Sequence, residues 1–249
     1  MKKVLPRKFI VYGHLIGNAN HPVAQYYRYP TEQEFDALVV WCEKMGYAFV
    51  GLEDYLADDN RKKILVTFDD GFKIVKEILH PYMMRRQLPY MLFVLTDPLA
   101  NPAFTIPTIK TNDTTAMFLS KAEILELKAQ GVHIGFHTRN HTKILGSDRL
   151  TDESIKDQLT FPKEHDELFS KPLCFAYPYL APENYGLFDN FMSDVLGYRY
   201  FFDTKGFRNS KGNHFFRVSI DIEKNVTRKN WIKFGIKRQW LSSLKQRSG

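Results

Sequence analysis

Two adjacent aspartates, Asp69 and Asp70, follow the apolar run "ILVTF" and precede Gly71. Carboxylates that close do not both ionise comfortably unless a cation or hydrogen-bond donors compensate. Gly71 lets the backbone turn sharply, so that neighbouring side chains can converge on one point. "DDG" is also an ordinary solvated turn, and on this stretch alone both readings stand. A second cluster lies in "HIGFHTRNHTKIL", where His137 and His141 are four residues apart. On a helical turn that spacing brings both imidazoles to one side, as two metal ligands require. His133, earlier on the same strand face, could line the same cavity. One carboxylate with two imidazoles is a sound three-ligand catalytic zinc set that leaves a position for water. The third cluster is the corner Tyr177–Pro178–Tyr179 in "CFAYPYL". Pro178 offers no backbone N–H, whereas that of Tyr179 can point into a cleft. The same residues also suit a strand end packed for stability.

The elements around these clusters alternate strand and helix. "KFIVYGHLI" reads as a strand, "TEQEFDALVVWCEKMG" as a helix with Thr31 and Glu34 spaced as a capping box, and "ILVTF" as the next strand. "KIVKEILHPYMMRR" reads largely as helix and "PYMLFVL" as strand. Residues 97–118 form a polar, proline-containing excursion, lid-like in character. "SKAEILELKAQG" is a second boxed helix, with Ser120, Glu123 and Gly131 in the expected places, and it feeds the strand "VHIGF". The strand "LCFAYPY", a helix over 184–196, the strands "YRYFFDT" and "HFFRVSIDI" and a C-terminal helix complete the pattern. Repeated β-then-α units without a composition break predict one α/β domain over 1–249, barrel-like or doubly wound. In such folds chemistry gathers at the carboxyl ends of the strands. All three polar clusters fall there.

Composition narrows the class. With 249 residues, 44% of them hydrophobic and 25% charged, the chain is ordinary globular material with ample length for a core. No apolar run approaches the roughly 20 residues that span a bilayer. The basic, then apolar N-terminus is interrupted by His14 and lacks a small-residue cleavage site, so it does not read as a signal peptide and the expected location is cytoplasmic. Cys42 and Cys174 read as buried free thiols. The net charge of +7 owes much to the basic C-terminal segment 228–249, where lysines and arginines alternate with Trp231, Phe234, Ile236, Trp240 and Leu241. That segment either packs its aromatics on the body or rests peripherally on an anionic membrane face. No nucleic-acid motif accompanies it, and nucleic acid is not an expected partner.

In order and spacing, these residues resemble the polysaccharide deacetylase family, also called the NodB-homology or carbohydrate esterase 4 family. "TFDDG" (67–71) matches the first family motif, "HTRNH" (137–141) the second, and "FAYPY" (175–179) resembles the third in one branch. "FIVYGHLIG" looks like the N-terminal Tyr-His strand of that branch, with Gly13 inserted between Tyr12 and His14. "FDALVVWCEKMGYAFVGLEDYL", "GYRYFFDT" and "FRVSID" extend the likeness to about residues 8–222.

The resemblance implies a distorted (β/α)7 barrel and a hydrolase that removes acetyl groups, usually N-acetyl from amino sugars, with a divalent metal that is usually Zn2+. It implies Asp70, His137 and His141 as metal ligands, Asp69 as the catalytic base and the Tyr179 backbone N–H as an oxyanion donor. Three departures follow. The usual late Leu-x-His acid is absent, since the one late histidine is His214, and His14 takes its place as candidate. The arginine that orients the base is missing from the third motif, and Arg217 is the candidate replacement from a neighbouring strand. Leu180 stands where a glycine normally follows the third motif. The expected partner is an acetylated saccharide; an O-acetyl ester, a non-sugar amide and a non-catalytic saccharide-binding protein are the alternatives, and the oligomeric state is left open.

Overall fold

The structure is a computed structural model, and it describes residues 5–17, 29–106, 109, 117–144, 153–183, 185–207, 212–221, 236 and 240. Strand β1 (Lys8–Gly13) leads to helix α1 (Glu32–Lys44), whose Thr31–Glu34 capping box forms as the sequence predicts. A short strand β2 (Tyr47–Phe49) and helix α2 (Leu52–Leu56) precede β3 (Lys62–Phe68). After the aspartate pair comes a turn of π-helix (Val75–Leu79) that runs straight into α3 (His80–Arg85). Strand β4 (Met91–Val94), helix α4 (Asp97–Ala100), the boxed helix α5 (Lys121–Ala129) and β5 (His133–Phe136) follow. The chain continues through α6 (Glu153–Leu159), a 3-10 turn (Lys163–Leu168), β6 (Cys174–Ala176), α7 (Tyr185–Asp194), β7 (Tyr200–Asp203) and β8 (His214–Ser219).

All strand pairs are parallel, in the order β1-β8-β7-β6-β5-β4-β3-β2. A further pairing of β1 with β3, from Lys8↔Lys63 to Gly13↔Phe68, closes seven of these strands into a barrel. Strand β2 is the extra one. It pairs with the first residues of β3, Lys62 to Ile64, whereas β4 pairs with Thr67 and Phe68. The irregular closure is the distorted (β/α)7 barrel, and of the two sheet arrangements open at the outset the barrel is the one found.

The strands read as nearly continuous apolar runs because both faces are covered, as in parallel sheets generally. One set of side chains, including Val11, Ile64, Val66, Phe68, Phe136 and Phe175, packs under the helices. The other set fills the barrel itself with Ile10, Leu65, Met91, Phe93, Cys174, Ala176, Phe202 and Phe215. At the strands' amino ends Val50, Leu52 and Tyr55 join that interior cluster and form a floor. Lys63, fully buried, holds the floor in place: its ammonium donates to the carbonyls of Asp54 at 2.5 Å and Ala57 at 3.2 Å and lies 2.7 Å from Asp59. A lysine in a dry site is tolerable only when satisfied in this way.

The described part of the 97–118 excursion is a packed wedge rather than a lid. Ile106, Ile109 and Met117 are buried with Leu15, Phe72, Ile74 and Leu95, and Phe118 stacks on Phe72 at 5.1 Å. At the far end of the chain Ile236 is buried and the Trp240 ring lies 5.4 Å from Phe207, as expected for a segment packed on the body. Trp231, Phe234 and Leu241 lie outside the described residues. Among the described residues no helix is long and apolar enough to cross a membrane.

Candidate active site at the carboxyl ends of the strands

Every motif corner bends the chain through the left-handed region. Five non-glycine residues among those described have positive φ, and four sit here: Asp70 (74°), Thr138 (70°), His141 (65°) and Tyr179 (60°). Such conformations cost on the order of 1–3 kcal/mol each and persist where surrounding structure over-determines them. Gly71, at φ 75°, continues the turn begun by Asp70, and a Cβ there would lie 3.0 Å from Val94. The two aspartates thereby leave β3 in different directions.

Asp70 turns towards the histidines. Its Oδ1 is 3.5 Å from His137 Nε2 and 3.4 Å from His141 Nε2, all three side chains being buried. One ligand atom from each of the three lies within 4.8 Å of the others. The 137–141 segment is a loop rather than the helical turn its spacing suggests, yet the rings converge to 5.2 Å. Thr138 Oγ1 accepts the His141 N–H at 3.0 Å, and Arg139 ties the loop to Asp97 at 3.0 Å and to Asp157 at 2.5 Å. His137 Nδ1 donates to the Ala176 carbonyl at 2.8 Å, which leaves the Nε2 lone pair facing Asp70. This is how ligating imidazoles are usually oriented. Burial pulls both histidines down to about 4, against the carboxylates' opposing pull, so both are neutral at pH 7. Two neutral imidazoles and a buried carboxylate fit a divalent cation of the zinc type. His133 does not join them. It lies at the amino end of β5, paired in register with Met91 and bonded to the Pro172 backbone.

Asp69 turns the other way, towards Arg217. The guanidinium meets it bidentately, at 2.6 Å and 2.9 Å, and also donates to Thr67 Oγ1 at 3.1 Å. Arg217 is fully buried from β8, sandwiched between the Tyr12 ring at 4.7 Å and the Phe93 ring at 5.4 Å. Burial pushes the Asp69 carboxyl up, but Arg217 and the neighbouring histidines outweigh it and hold the group below its ordinary range. A base at this position is therefore ionised at neutral pH.

His14 falls just past β1. Its Nε2 is 4.0 Å from Asp70 Oδ2, and its Nδ1 lies 2.6 Å from Asp221 Oδ2. Asp221, just beyond β8, was not singled out in the sequence; the signal available was its place directly after a strand end, in "SIDI". Gly13 explains its own insertion: a Cβ there would lie 2.8 Å from Ile220 Cγ1 and 3.3 Å from Asp221 Oδ1. Burial pulls His14 down, yet the Asp221 charge and hydrogen bond, with Asp70 and Asp69 beyond, raise it to about 9. Stability drawn from this protonation is fully present below about 6.5 and is lost as pH rises through about 9. In the metal-free protein the His14 ring should titrate near 9 by NMR, and Asp221→Asn should lower it towards its ordinary value of 6.5. A ring that titrates near 6.5 in both proteins would show that Asp221 does not control it.

Tyr179 completes the rim. It is 41% exposed, its ring lies 4.7 Å from that of His141, and its carbonyl accepts the Thr204 hydroxyl. Leu180 beside it is also exposed.

A family model described as polysaccharide deacetylase matches residues 57–187, a stretch that holds the Asp69–Asp70 corner, the His137–His141 loop and the Tyr179 corner. The chain belongs to the polysaccharide deacetylase family. Among solved structures, IcaB from Ammonifex degensii is similar with 22% identity and a TM-score of 0.64, over 93% of this chain and 97% of that one. A de-N-acetylase from Aggregatibacter actinomycetemcomitans gives 17% identity and a TM-score of 0.69, over 92% and 99%. The Streptococcus pyogenes deacetylase PplD, solved in complex with acetate, gives 17% and 0.63, over 90% and 96%. At these identities the likeness is one of fold. No curated protein sequence matches the chain. Arg217 reaches the first aspartate of the pair from β8, and His14, just past β1, approaches the second.

Proposed function

We propose that the protein is a metal-dependent N-deacetylase of an acetylated saccharide, its site carried by Asp69, Asp70, His137, His141, His14 and the Tyr179 backbone, with Arg217 behind the base. The observation that carries this reading is the separation of the aspartate pair: one carboxylate faces two neutral imidazoles while its neighbour is held ionised by a buried arginine. Asp70, His137 and His141 would hold the cation, Zn2+ by donor type. Such an ion supplies Lewis acidity at the acetyl carbonyl and lowers the pKa of water towards neutrality.

The chain's own groups divide the remaining work. Asp69 keeps lone pairs on both oxygens beyond those that Arg217 occupies, and with them it accepts the proton of the attacking water. The Tyr179 N–H donates to the carbonyl oxygen as it gains charge. His14, braced by Asp221, which favours its charged form, gives a proton to the departing amine, which otherwise leaves poorly. Tyr179, exposed at the rim beside His141, offers an aromatic face suited to a sugar ring. The catalytic domain is taken to span 1–249, with a cytoplasmic location and the basic 228–249 segment as the candidate for peripheral contact with a membrane face. A role in binding alone would not call for a buried arginine on a second carboxylate.

Acetate release from a panel of N- and O-acetylated saccharides tests this reading. Chelated protein should be inactive, added zinc should restore it, and His137→Ala should lose both zinc and activity. Release only from O-acetyl substrates would replace the amidase with an esterase. Zinc-bound protein that releases acetate from none of them would overturn the proposal.

A further inference from the structure

His214 has no part in the chemistry above, yet it is buried beside a titratable network. Its Nδ1 lies 2.6 Å from Asp189 Oδ2 on α7, and the other Asp189 oxygen accepts the Tyr177 hydroxyl at 2.6 Å. His214 Nε2 faces Asp203 Oδ2 at 3.9 Å, and Tyr185 covers the imidazole with ring centroids 4.0 Å apart. Asp203, at the end of β7, is fully buried; its Oδ1 accepts the backbone N–H groups of Ala181 at 3.0 Å and Thr204 at 2.6 Å. Lys205 approaches its other oxygen at 3.4 Å. Two buried carboxylates thus flank one imidazole. Burial pulls His214 down, but the Asp189 hydrogen bond and the charges of Asp189 and Asp203 raise it above its ordinary value.

The network grips the chain at Tyr177 and Ala181, two residues before and two residues after Tyr179. The Tyr177 N–H donates to the Phe202 carbonyl at 3.0 Å, and Thr204, next to Asp203, donates to the Tyr179 carbonyl. Tyr179 itself is 41% exposed and left-handed, so its own side-chain burial does little to hold that conformation. A strained residue of this kind stays in place only if its neighbours are fixed.

We infer that His214 is a positioning residue: set between Asp189 and Asp203, it locks the Tyr177–Ala181 corner and so fixes the direction of the Tyr179 peptide N–H. The catalytic consequence rests on the deacetylase reading; the mechanical claim does not.

The test is backbone amide hydrogen exchange in the full chain, with and without zinc, beside acetate release. His214→Phe keeps a ring against Tyr185 and removes both polar contacts. Exchange at Tyr177 and Ala181, whose N–H groups bond to Phe202 and Asp203, is expected to rise about tenfold or more while β3 amides and zinc affinity stay unchanged. On a substrate that the parent protein turns over, kcat should fall about 10²-fold at constant KM, as for a misplaced oxyanion donor. Should His214→Phe fail to fold, Tyr177→Phe removes one end of the clamp alone and should raise exchange at the same amides. Unchanged exchange at both Tyr177 and Ala181 in a folded variant would overturn the inference, and so would a uniform rise that includes β3. If the parent protein releases no acetate, the deacetylase reading fails while the exchange result still decides the clamp.

Discussion

Asp69→Asn is expected to bind zinc as tightly as the natural chain and to release acetate about 10²–10⁴-fold more slowly, the usual span for loss of a general base. The asymmetry follows from the two directions in which the pair leaves β3. Asp70 alone faces His137 and His141, so the donor set survives the change. Asparagine keeps the size of Asp69 but carries no charge and cannot take a proton near neutral pH. One of its two terminal atoms becomes a donor, which must then face a guanidinium that has only donors. Some stability is therefore lost as well, and activity must be compared at a temperature where both proteins are folded. Zinc content after gel filtration and acetate release on the same preparation decide the matter. Loss of zinc along with activity would make Asp69 a ligand and undo the division of labour.

Arg217→Met should destabilise the metal-free protein by about 3–5 kcal/mol, the cost of leaving a buried charge without its partner. In a chain of this length that lowers the melting midpoint by on the order of 10 °C. The deficit should depend on pH with a definite sign. Asp69 has a depressed folded-state pKa, so the stability it draws from Arg217 is present above its ordinary value of 3.8 and is lost as pH falls through the folded value. The two proteins should differ most near neutral pH and converge in acid, as measured by denaturant unfolding at several pH values. Arg217→Lys should recover little, because an ammonium cannot meet both carboxylate oxygens in the plane held between Tyr12 and Phe93. A constant deficit from pH 3 to 8 would place the loss in ring packing and not in the ion pair.

What could be read from the chain divides by range. The strand-end clusters were legible because Asp69, Asp70 and Gly71 are contiguous, and because His137 and His141 share one short loop. Both capping boxes were legible for the same reason, since Thr31–Glu34 and Ser120–Glu123 are local hydrogen-bond exchanges. The left-handed geometry of the histidine loop was not, because Thr138 and His141 adopt it under restraints from Asp97 and Asp157. His133 shares a strand face with His137 but lies at the opposite end of β5, a distinction that alternation alone does not draw. Asp221 stayed hidden because its partner His14 is 207 residues away, and proximity of that kind comes from barrel closure. Asp189, Asp203 and His214 were hidden likewise on three separate elements. The wedge formed by Ile106, Ile109 and Met117 looked like a lid because its neighbours in sequence are polar.

The floor made by Val50, Leu52 and Tyr55, with Lys63 fastening it, has a bearing on traffic. Beneath the site Phe93, Phe202 and Phe215 plug the barrel, so among the described residues no route runs through it from one end to the other. On the proposed reading, a long sugar polymer would not thread such a barrel; it would be met side-on, at the residue that presents its acetyl group to the open end. On the proposed deacetylase reading, the small acyl product would leave past the same rim by which the substrate enters, so both departures would share one exit.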